Sequence, residues 1–420
     1  MKYAPVEEAI AAIARGDMVL VVDDEKRENE GDLIVAAEKV TPQHIAFMVR
    51  YTSGLICLPM EGERLDDLNL PLMVRENTES HKTAFTVSID LTEGTTTGIS
   101  ASDRAKTIRA AADPSSEETD FNRPGHVFPL RYQPGGVLVR PGHTEAAVDL
   151  ARLAGLTPAG VLCEVVNDDG SMTRGESLVS FAAKHGMPIV SIEQLVSYRW
   201  REEALVIRES EATIPTSIAE FRAIGYRSKD TGSEHIALVL GDVAGHKDVL
   251  TRLHSVCLTG DVFGSLRCDC GVQLEESMRL IAAEGEGIIV YNPTHEGRGT
   301  GLIDKLAAYR LQEQGLDTVE ANERIGHPVD SRHYGVDAQI LHDLKVSSVR
   351  LLTNNPEKLE QLRVFGVEVS ERVPLWVGET TQNRFYLETK ERRSVASRSP
   401  RIPSLIDGSA NAPSCVPSSR

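Results

Sequence analysis

Cysteine is scarce in this sequence, and basic side chains are outnumbered by acidic ones. Cysteine occupies 6 of 420 positions and three of the six lie close together, which argues against a disulfide framework and for a reducing compartment. The formal net charge is −17. Nucleic acids and anionic membranes are bound by net basic surfaces, so we expect neither as a partner. The negative net charge does not exclude small phosphorylated substrates, because a few local cations and N–H groups bind them.

Long apolar runs are missing as well. No stretch approaches the roughly 20 apolar residues that a membrane-spanning helix needs. Residues 1–17 combine alternating charge with a helical period, whereas a secretory signal has a basic start followed by an apolar block. These patterns predict a cytoplasmic protein that does not associate with a membrane.

The length and the pattern of apolar residues predict two domains. A chain of 420 residues is too long for one ordinary hydrophobic core. Strand-like runs alternate with helical periods, which predicts the α/β (α+β) class with two mixed α/β domains. We place the boundary near residue 203, giving domains 1–203 and 204–390. Residues 391–420 are rich in Ser, Arg and Pro with little apolar content, so this tail is predicted to be disordered.

Three finer expectations concern secondary structure. Residues 137–139 form a short apolar run and are predicted to be a strand. The polar stretch 197–211 is predicted to carry the chain from one domain to the next. The segments 220–226, 235–241 and 249–256 alternate in polarity and are predicted to be antiparallel strands.

An acidic run, DDEKRENEGD at residues 23–32, lies between two predicted strands. Its carboxylates repel one another unless a cation neutralises them. A solvated loop is one interpretation. The alternative is a loop that holds divalent cations through oxygen ligands, with Arg27 binding an anion beside them. Its position at a strand end and the presence of Gly31 do not decide between these two interpretations.

Two further segments combine turn residues with ionisable side chains. A predicted strand runs into RPGHT, residues 140–144, and a helix follows, which puts His143 and Thr144 at a helix N-terminus beside Arg140. That arrangement favours a phosphate. His126 lies in the other segment, and either histidine could equally be a polar loop residue.

Glu164 lies within an apolar predicted strand, AGVLCEVV, where a carboxylate needs a partner or a function. It is either paired structurally or used for acid–base chemistry, for which burial would raise its pKa. A glycine-rich turn, NPTHEGRGTG at residues 292–301, follows another predicted strand. With Arg298 it suits a phosphate, although a glycine-rich turn is a weak signal.

The three clustered cysteines are Cys257, Cys268 and Cys270. Three thiols without a regularly spaced fourth ligand suit a tetrahedral Zn²⁺ with one position open for water or substrate. Alternatives are a structural zinc site completed by His254 or His295, or reduced cysteines in a core.

Taken together, these motifs resemble two known families. The first half resembles 3,4-dihydroxy-2-butanone 4-phosphate synthase through RENEGD and RPGHT. The second half resembles GTP cyclohydrolase II through its C-x10-C-x-C spacing. Fused in this order, over about residues 5–390, the two halves resemble the bifunctional riboflavin-biosynthesis enzymes.

The resemblance to the synthase implies the first set of site residues. The implied substrate is ribulose 5-phosphate, the implied metal is Mg²⁺ or Mn²⁺, and the implied products are L-3,4-dihydroxy-2-butanone 4-phosphate and formate. Implied roles are substrate binding by Arg27, Asp32, Arg140, Gly142, His143 and Thr144, metal binding by Glu28 and His143, and catalysis by His126 and Glu164.

The resemblance to the cyclohydrolase implies the second set. GTP is hydrolysed to 2,5-diamino-6-(5-phosphoribosylamino)pyrimidin-4(3H)-one, formate and pyrophosphate. Implied roles are Zn²⁺ binding by Cys257, Cys268 and Cys270, base recognition by Gln273, GTP contacts from Arg252, Glu296, Arg298, Thr318, Thr353 and Lys358, general-base catalysis by Asp330 and nucleophilic attack by Arg332.

The second half departs from the family pattern at three positions, one of which is Thr300 in place of a usual apolar residue after the glycines. Val256 replaces an acid beside the first cysteine, and Pro293 replaces an arginine after the preceding strand. A second hypothesis is therefore an active synthase whose cyclohydrolase domain binds zinc with weak or no turnover. The resemblance also implies a homodimer.

Overall fold

The computed structural model describes residues 3–24, 27–326 and 332–383. The side chains of residues 318, 319 and 323 are outside this description, as are Asp330 and the tail 391–420. The chain divides into two compact units, which we call unit 1 (Met1–Glu202) and unit 2 (Glu203–Arg420). None of the described helices is both long and apolar enough to span a bilayer.

Unit 1 contains one mixed sheet and seven α-helices among its described residues. Its strands are β1 (Val19–Val22), β2 (Gly31–Ala36), β3 (Cys57–Met60), β4 (Ile89–Leu91), β5 (Phe121–Arg131), β6 (Gly160–Glu164) and β7 (Ile189–Ser191). Its helices are α1 (Val6–Arg15), α2 (Pro42–Tyr51), α3 (Gly62–Asp67), α4 (Ala101–Ala112), α5 (His143–Leu153), α6 (Glu176–His185) and α7 (Ile192–Glu202), with 3₁₀ turns at Ala37–Lys39, Glu118–Asp120 and Gly136–Leu138.

The sheet of unit 1 is buried on both faces. The strand order is β4-β5-β3-β6-β2-β1-β7, with parallel pairs at β1–β7 and β3–β5. Successive side chains of a strand point to opposite faces. One core cluster contains Leu20, Val22, Leu33 and Val35, and the other contains Val19, Val21, Ile34 and Ala36. Continuous apolar runs are what a strand covered on both sides requires.

Unit 2 also contains a seven-stranded mixed sheet. Its strands are β8 (Val206–Pro215), β9 (Glu220–Ser228), β10 (Glu234–Leu240), β11 (Val249–Ser255), β12 (Gly287–Asn292), β13 (Val349–Leu352) and β14 (Val369–Val373). Its described helices are α8 (Leu258–Asp261), α9 (Cys270–Glu284), α10 (Leu302–Glu313), α11 (Thr318–Arg324), α12 (Gly335–Asp343) and α13 (Glu357–Val364), with a 3₁₀ segment at Pro293–Arg298.

The order of the unit 2 sheet is β14-β13-β11-β12-β10-β9-β8. Strands β12, β11, β13 and β14 pair in parallel, whereas β12, β10, β9 and β8 pair antiparallel. The α/β class predicted from the sequence is confirmed. The parallel half matters for function, because the carboxyl ends of its strands meet at one edge.

Two expectations about secondary structure were wrong. Residues 137–139 lie in a 3₁₀ turn and its end, because Gly135 and Gly136 have positive φ angles of 93° and 64°. The division between the two units falls within the stretch 197–211, which contains the end of α7 and the start of β8, an almost entirely exposed edge strand. Strand β11 pairs with both neighbours in parallel, because its partners follow much later in the chain.

Candidate active sites

The predicted synthase residues of unit 1 meet at one edge of its sheet. Asp32 at the start of β2 lies opposite Glu164 at the end of β6. The registers of β5, β3 and β6 bring His126 to the same edge. The acidic loop connects β1 to β2 there, because Val22 pairs with Gly31.

Asp23 organises the acidic loop. Its Oδ1 accepts a hydrogen bond from the Glu30 amide at 2.9 Å. Its Oδ2 accepts from the Glu28 amide at 3.1 Å and from Arg27 Nη1 at 2.9 Å. Asn29 takes a left-handed φ of 55°, which this tight loop requires. The sequence motif gave no role to Asp23, although its place directly after a buried strand was a usable signal.

Three groups at this loop are arranged to hold a cation. Ligand atoms of Asp23, Glu28 and His143 all lie within 4.8 Å of one another. Nδ1 of His143 is 3.8 Å from Glu28 Oε2 and 3.9 Å from Asp32 Oδ2. Within the described part of the chain, the buried atoms His143 Nε2 and Asp32 Oδ1 have no hydrogen-bond partner. Oxygen-rich donors with an unsatisfied carboxylate fit a hard divalent cation.

The electrostatics agree with that arrangement. Burial, together with the negative charges of Glu164 and Glu28, holds the pKa of Asp32 well above its usual value. Burial also raises the pKa of Glu28. Burial lowers the pKa of His143 to about 4, so the imidazole is neutral and can act as a ligand. A bound cation would favour the ionised carboxylates and neutral imidazole that these residues offer.

Two guanidinium groups converge at the N-terminus of α5. A Cβ atom added to Gly142 would lie 2.8 Å from Arg140 Nη1 and 3.2 Å from Arg27 Nη2. Arg140 is held by Glu145 Oε2 at 2.6 Å. Thr144 is buried in the first turn of the helix. Two cations and the N–H groups of a helix start are groups that can bind an anion, and a side chain at position 142 would fill the space between them.

His126 and Glu164 each have a polar partner that sequence reasoning missed. Asp90 Oδ2 is 2.7 Å from His126 Nδ1, and Asp90 Oδ1 accepts from the His126 amide at 2.9 Å. Ser53 Oγ donates to Glu164 Oε2 at 2.6 Å. Asp90 orients the imidazole and leaves its Nε2 to exchange a proton. An acid at the end of a strand-like segment was the only sequence signal for Asp90.

The three clustered cysteines of unit 2 come together. Cys257 precedes α8, and Cys270 opens α9. Their sulfur atoms and that of Cys268 lie within 4.8 Å of one another, with 3.5 Å between Cys257 and Cys268. Zinc–sulfur bonds of about 2.3 Å place tetrahedral sulfur ligands about 3.8 Å apart, so the group fits Zn²⁺. A Cβ on Gly260 would lie 3.0 Å from the Cys268 sulfur and 3.1 Å from the Cys257 sulfur.

The pKa values of the three thiols are shifted in different directions. Hydrogen bonds from the Cys268 and Cys270 thiols lower the pKa of Cys257 below its usual range. The hydrogen bond with Cys257 raises the pKa of the Cys268 thiol to about 11. Hydrogen bonds with Cys257 and Cys268 raise the pKa of the Cys270 thiol well above its usual value. Three adjacent thiols cannot all ionise without a cation, and Zn²⁺ provides one.

Neither histidine considered as a fourth ligand joins the cluster. His254 Nε2 is 3.0 Å from Asp261 Oδ2, which also accepts from the Cys257 amide at 2.9 Å and from Tyr291 Oη at 3.1 Å. His295 Nδ1 is 3.2 Å from Ser255 Oγ. Among the described residues, neither histidine completes the cluster, and Asp261 shapes the turn that carries Cys257.

The predicted GTP contacts lie at the carboxyl edge of the parallel strands. Buried Arg252 on β11 donates to Gln273 Oε1 at 2.7 Å, and Gln273 Nε2 donates to Asp269 Oδ2 at 2.6 Å. Lys358 Nζ donates to the Leu253 carbonyl at 2.8 Å. Such a row of polar side chains beyond parallel strand ends is a usual place for a nucleotide.

The remaining predicted residues are placed as follows. Thr353 is buried directly after β13, and Arg332 Nη1 donates to Ser255 Oγ at 3.4 Å. Arg298 has a positive φ of 64° within the glycine-rich turn. Asp330 and the Thr318 side chain lie outside the described part of the chain, so their predicted roles stay predictions.

Glu296 shows a contact that the sequence did not reveal. Its Oε2 accepts from the Leu258 amide at 2.8 Å, and its Oε1 accepts from Lys305 Nζ at 2.6 Å. Lys305 Nζ is also 3.1 Å from the Cys257 sulfur. No motif marked this lysine; its only signal was its place in the helix after the glycine-rich turn.

Two of the departures from the family pattern, Val256 and Pro293, are neighbours in the structure. Val256 donates its amide to the Asn292 carbonyl at 3.1 Å, and Pro293 follows Asn292 as the first residue of the 3₁₀ segment. Asn292 caps that segment by accepting from the Thr294 amide at 3.0 Å. Proline suits such a position, since its missing N–H is not needed there.

Comparisons with known proteins agree with both sites. A family model of 3,4-dihydroxy-2-butanone 4-phosphate synthase matches residues 7–198, and one of GTP cyclohydrolase II matches residues 207–374. The riboflavin biosynthesis protein RibBA of Rhodococcus erythropolis is 54% identical over 398 residues, covering 93% of this chain and 94% of that protein. The chain belongs to the RibBA family.

Further relatives span both units. RibBA of Mycobacterium tuberculosis is 56% identical over 391 residues, 92% of each chain. A probable bifunctional riboflavin biosynthesis protein of rice, RIBA 2, is 56% identical and covers 93% of this chain and 71% of that protein. The crystal structure of RibBX, a two-domain synthase from A. baumannii, has a TM-score of 0.68 and 38% identity, covering 88% of this chain and 99% of that one.

These matches identify a bifunctional enzyme of riboflavin biosynthesis, with a synthase domain and a GTP cyclohydrolase II domain. The hypothesis of a second domain with weak or no turnover is not favoured by them. The family assignment made from the sequence motifs is confirmed.

Proposed function

We propose that unit 1 converts ribulose 5-phosphate to 3,4-dihydroxy-2-butanone 4-phosphate and formate, and that unit 2 hydrolyses GTP to the diaminopyrimidine product, formate and pyrophosphate. The observation that carries the first half is the convergence of Arg27 and Arg140 at Gly142, beside the cluster of Asp23, Glu28 and His143. An anion site next to a cation site matches a phosphorylated sugar held by both ends. The domains extend over 1–203 and 204–390.

In unit 1 the phosphate is bound by Arg27, Arg140 and the first turn of α5 with Thr144. Fixing this end orients the sugar so that its carbonyl end reaches the acidic loop, near Asp32. Glu28 and His143 hold Mg²⁺ or Mn²⁺, which when bound supplies positive charge that polarises a carbonyl.

His126 and Glu164 move the protons. The Asp90 carboxylate fixes the His126 ring through Nδ1, so Nε2 gives or takes a proton at the substrate. Ser53 holds the Glu164 carboxylate at 2.6 Å. Two proton-transfer groups on neighbouring strand ends suit a reaction that removes and returns protons beside a ketone.

In unit 2, Cys257, Cys268 and Cys270 hold Zn²⁺, which when bound supplies a Lewis acid that lowers the pKa of water. Gln273 reads the guanine, and its orientation is set by Arg252 and Asp269. The other predicted GTP contacts are Glu296, Arg298, Thr318, Thr353 and Lys358. The family resemblance implies that Asp330 acts as general base and that Arg332 attacks the α-phosphorus. The bond from that phosphorus to the pyrophosphate breaks, pyrophosphate leaves, and water then releases the arginine.

We further propose a cytoplasmic homodimer. Leu72, Met73 and Val74 are 48%, 47% and 51% exposed, an apolar surface that a second copy would cover. The five described cysteines are free thiols, as expected in a reducing compartment. Light scattering on the purified chain tests the assembly, and a monomer at micromolar concentration contradicts it.

One experiment tests both activities on the same molecule. The purified chain receives ribulose 5-phosphate or GTP, and formate, pyrophosphate, the pyrimidine and bound metal are measured. Glu28→Gln is expected to abolish only the first reaction and Cys270→Ser only the second, so each variant is the control for the other. A parent chain that releases no pyrimidine from GTP would contradict the proposal for unit 2.

A further inference from the structure

A single ammonium group joins the cysteine cluster to a predicted GTP contact. Lys305 Nζ lies 3.1 Å from the Cys257 sulfur and 2.6 Å from Glu296 Oε1. The Lys305 and Glu296 side chains are only 10% and 11% exposed. A buried ion pair with little water around it keeps its geometry, because breaking it would leave an uncompensated charge.

Glu296 is fixed on both oxygens. Oε2 accepts from the Leu258 amide at 2.8 Å, and Leu258 follows Cys257 directly in the chain. Oε1 accepts from the Gly297 amide at 3.1 Å as well as from Lys305. Lys305, Glu296 and the turn at Cys257 therefore close a ring of contacts in which moving one member displaces the others.

The helix that carries Lys305 faces the cysteine cluster. Tyr309, one turn later on α10, has its Oη 3.2 Å from Thr259 Oγ1, and Thr259 Oγ1 is 3.6 Å from the Cys257 sulfur. A Cβ added to Gly297 would lie 3.2 Å from Lys305 Cβ, so the helix packs closely against the glycine-rich turn. Residues four apart share a helix face, and this face is turned to the thiols.

The charge of Lys305 has a clear use at such a site. Three thiolates around Zn²⁺ leave one excess negative charge and donate strongly to the metal. A cation hydrogen-bonded to one sulfur offsets that charge and holds the sulfur in place, which disfavours its release from the metal. Outer contacts of this kind tune a metal site nearly as much as the ligands do.

We propose that Lys305 is a positioning residue that ties the Cys257 thiolate to Glu296, so that the metal and GTP are held in one geometry. This inference rests on the zinc site and the Glu296 role of the proposed function. It assigns Lys305 a task distinct from substrate contact: it sets how firmly the cysteines retain the metal and how Glu296 is aimed.

Three variants of the full chain test this role. Lys305→Met removes the charge and the donor at similar volume, Lys305→Arg keeps the charge, and Arg310→Met removes an exposed cation from the same helix. The readouts are the rate of zinc transfer to a chromophoric chelator, the sulfur-to-cobalt absorption bands of the Co²⁺-substituted chain, and kcat and KM for GTP. Synthase activity on the same molecules reports the amount of folded unit 1.

We expect Lys305→Met to speed zinc transfer about ten- to a hundred-fold, to shift the cobalt bands, and to lower kcat and raise KM for GTP. Lys305→Arg recovers most of the zinc retention, and Arg310→Met behaves as the parent. Zinc transfer and cobalt bands unchanged in Lys305→Met would overturn the inference, even if its thermal midpoint fell. A parent chain that binds no zinc would overturn the proposed zinc site and the inference with it.

If Lys305→Met leaves unit 2 unfolded, judged by the loss of its thermal transition, Lys305→Gln takes its place. Glutamine keeps an N–H donor and removes the charge. We expect zinc transfer from this variant to be faster than from Lys305→Arg. Equal rates for Lys305→Gln and Lys305→Arg would overturn the role of the charge.

Discussion

Both units place a group of metal-ligating side chains at the end of a mixed sheet, but they build it from different atoms. Unit 1 combines carboxylates of Asp23 and Glu28 with the imidazole of His143, which comes from a helix far along the chain. Unit 2 uses three thiols, one directly before the short helix α8 and two around the start of α9. Hard oxygen ligands suit Mg²⁺ or Mn²⁺, and soft sulfur ligands suit Zn²⁺.

The comparison teaches how a site of each kind is held. In unit 1 the loop itself supplies two of the three ligating groups, since Asp23 both organises the loop and lies within 4.8 Å of Glu28 and His143. In unit 2 the ligands are held by residues outside the cluster, with Asp261 fixing the Cys257 amide and Lys305 the Cys257 sulfur. We expect exchangeable metal in the first site and retained metal in the second.

The largest expected effect comes from metal removal. Brief dialysis against EDTA is expected to abolish synthase activity while cyclohydrolase activity persists, because carboxylate ligands release metal faster than three thiolates. Added Mg²⁺ restores the first activity. Prolonged treatment with a thiol-competing chelator removes the second, and Zn²⁺ restores it. Simultaneous loss of both activities during brief dialysis would erase the difference between the two sites.

Asp90→Asn is expected to lower kcat of the synthase about 100-fold, because an amide in place of the carboxylate no longer fixes the Nδ1–H tautomer of His126. KM for ribulose 5-phosphate changes little, since Asp90 touches the histidine rather than the phosphate site. Steady-state kinetics measures both constants. The cyclohydrolase rate of the same sample is the control, and an unchanged synthase kcat would show that Asp90 does not orient the catalytic group.

The substitution Asp337→Asn tests the effect of a buried carboxyl group on the stability of unit 2. Burial raises the pKa of Asp337 to about 7, and its partners are Asn292 at 2.9 Å and the charge of Lys358, not the cysteine cluster. The folded state therefore holds a proton that the unfolded state releases near pH 4. The favourable contribution of this proton to the free energy of unfolding is complete below about pH 4. It falls as the pH rises to about 7 and is absent at higher pH.

The asparagine variant is expected to be more stable than the parent by roughly 2 to 4 kcal/mol at pH 8, with a smaller difference at pH 5. Denaturant unfolding of unit 2 at both pH values measures this. Asp32→Asn in unit 1 is the matched change at a predicted substrate- and cation-binding carboxylate, and its stability at pH 8 is compared with and without Mg²⁺. Equal stability of Asp337→Asn and parent at pH 8 would contradict the buried-acid explanation.

The smallest effect is expected from Val256→Glu, which restores the acid of the family pattern. Val256 contributes its backbone amide to Asn292 and does not belong to the cysteine cluster. Half-exposed substitutions outside a network usually change free energies by less than about 0.5 kcal/mol, so turnover of GTP should change by about two-fold or less. A large gain in kcat would show that the departure from the family pattern limits this domain.

Local patterns in the sequence predicted a large part of both sites. The helix Val6–Arg15 ends at Gly16 with a φ of 90°, and Thr41 caps the helix that starts at Pro42, both as their residue types require. The cysteine spacing predicted a cluster, because Cys257, Cys268 and Cys270 lie within one short segment of the chain. RENEGD and RPGHT indicated the family, because each is a contiguous motif in the sequence.

Only the tertiary structure decided which distant side chains complete these sites. Asp90 with His126, and Lys305 with Cys257 and Glu296, become partners through strand pairing and helix packing that no spacing in the sequence encodes. The parallel pairing of β11 and the exposed edge strand β8 were also not predicted from the sequence. Backbone hydrogen bonds between strands depend on partners far along the chain, whereas capping, turn geometry and clustered ligands depend on neighbours within a few residues.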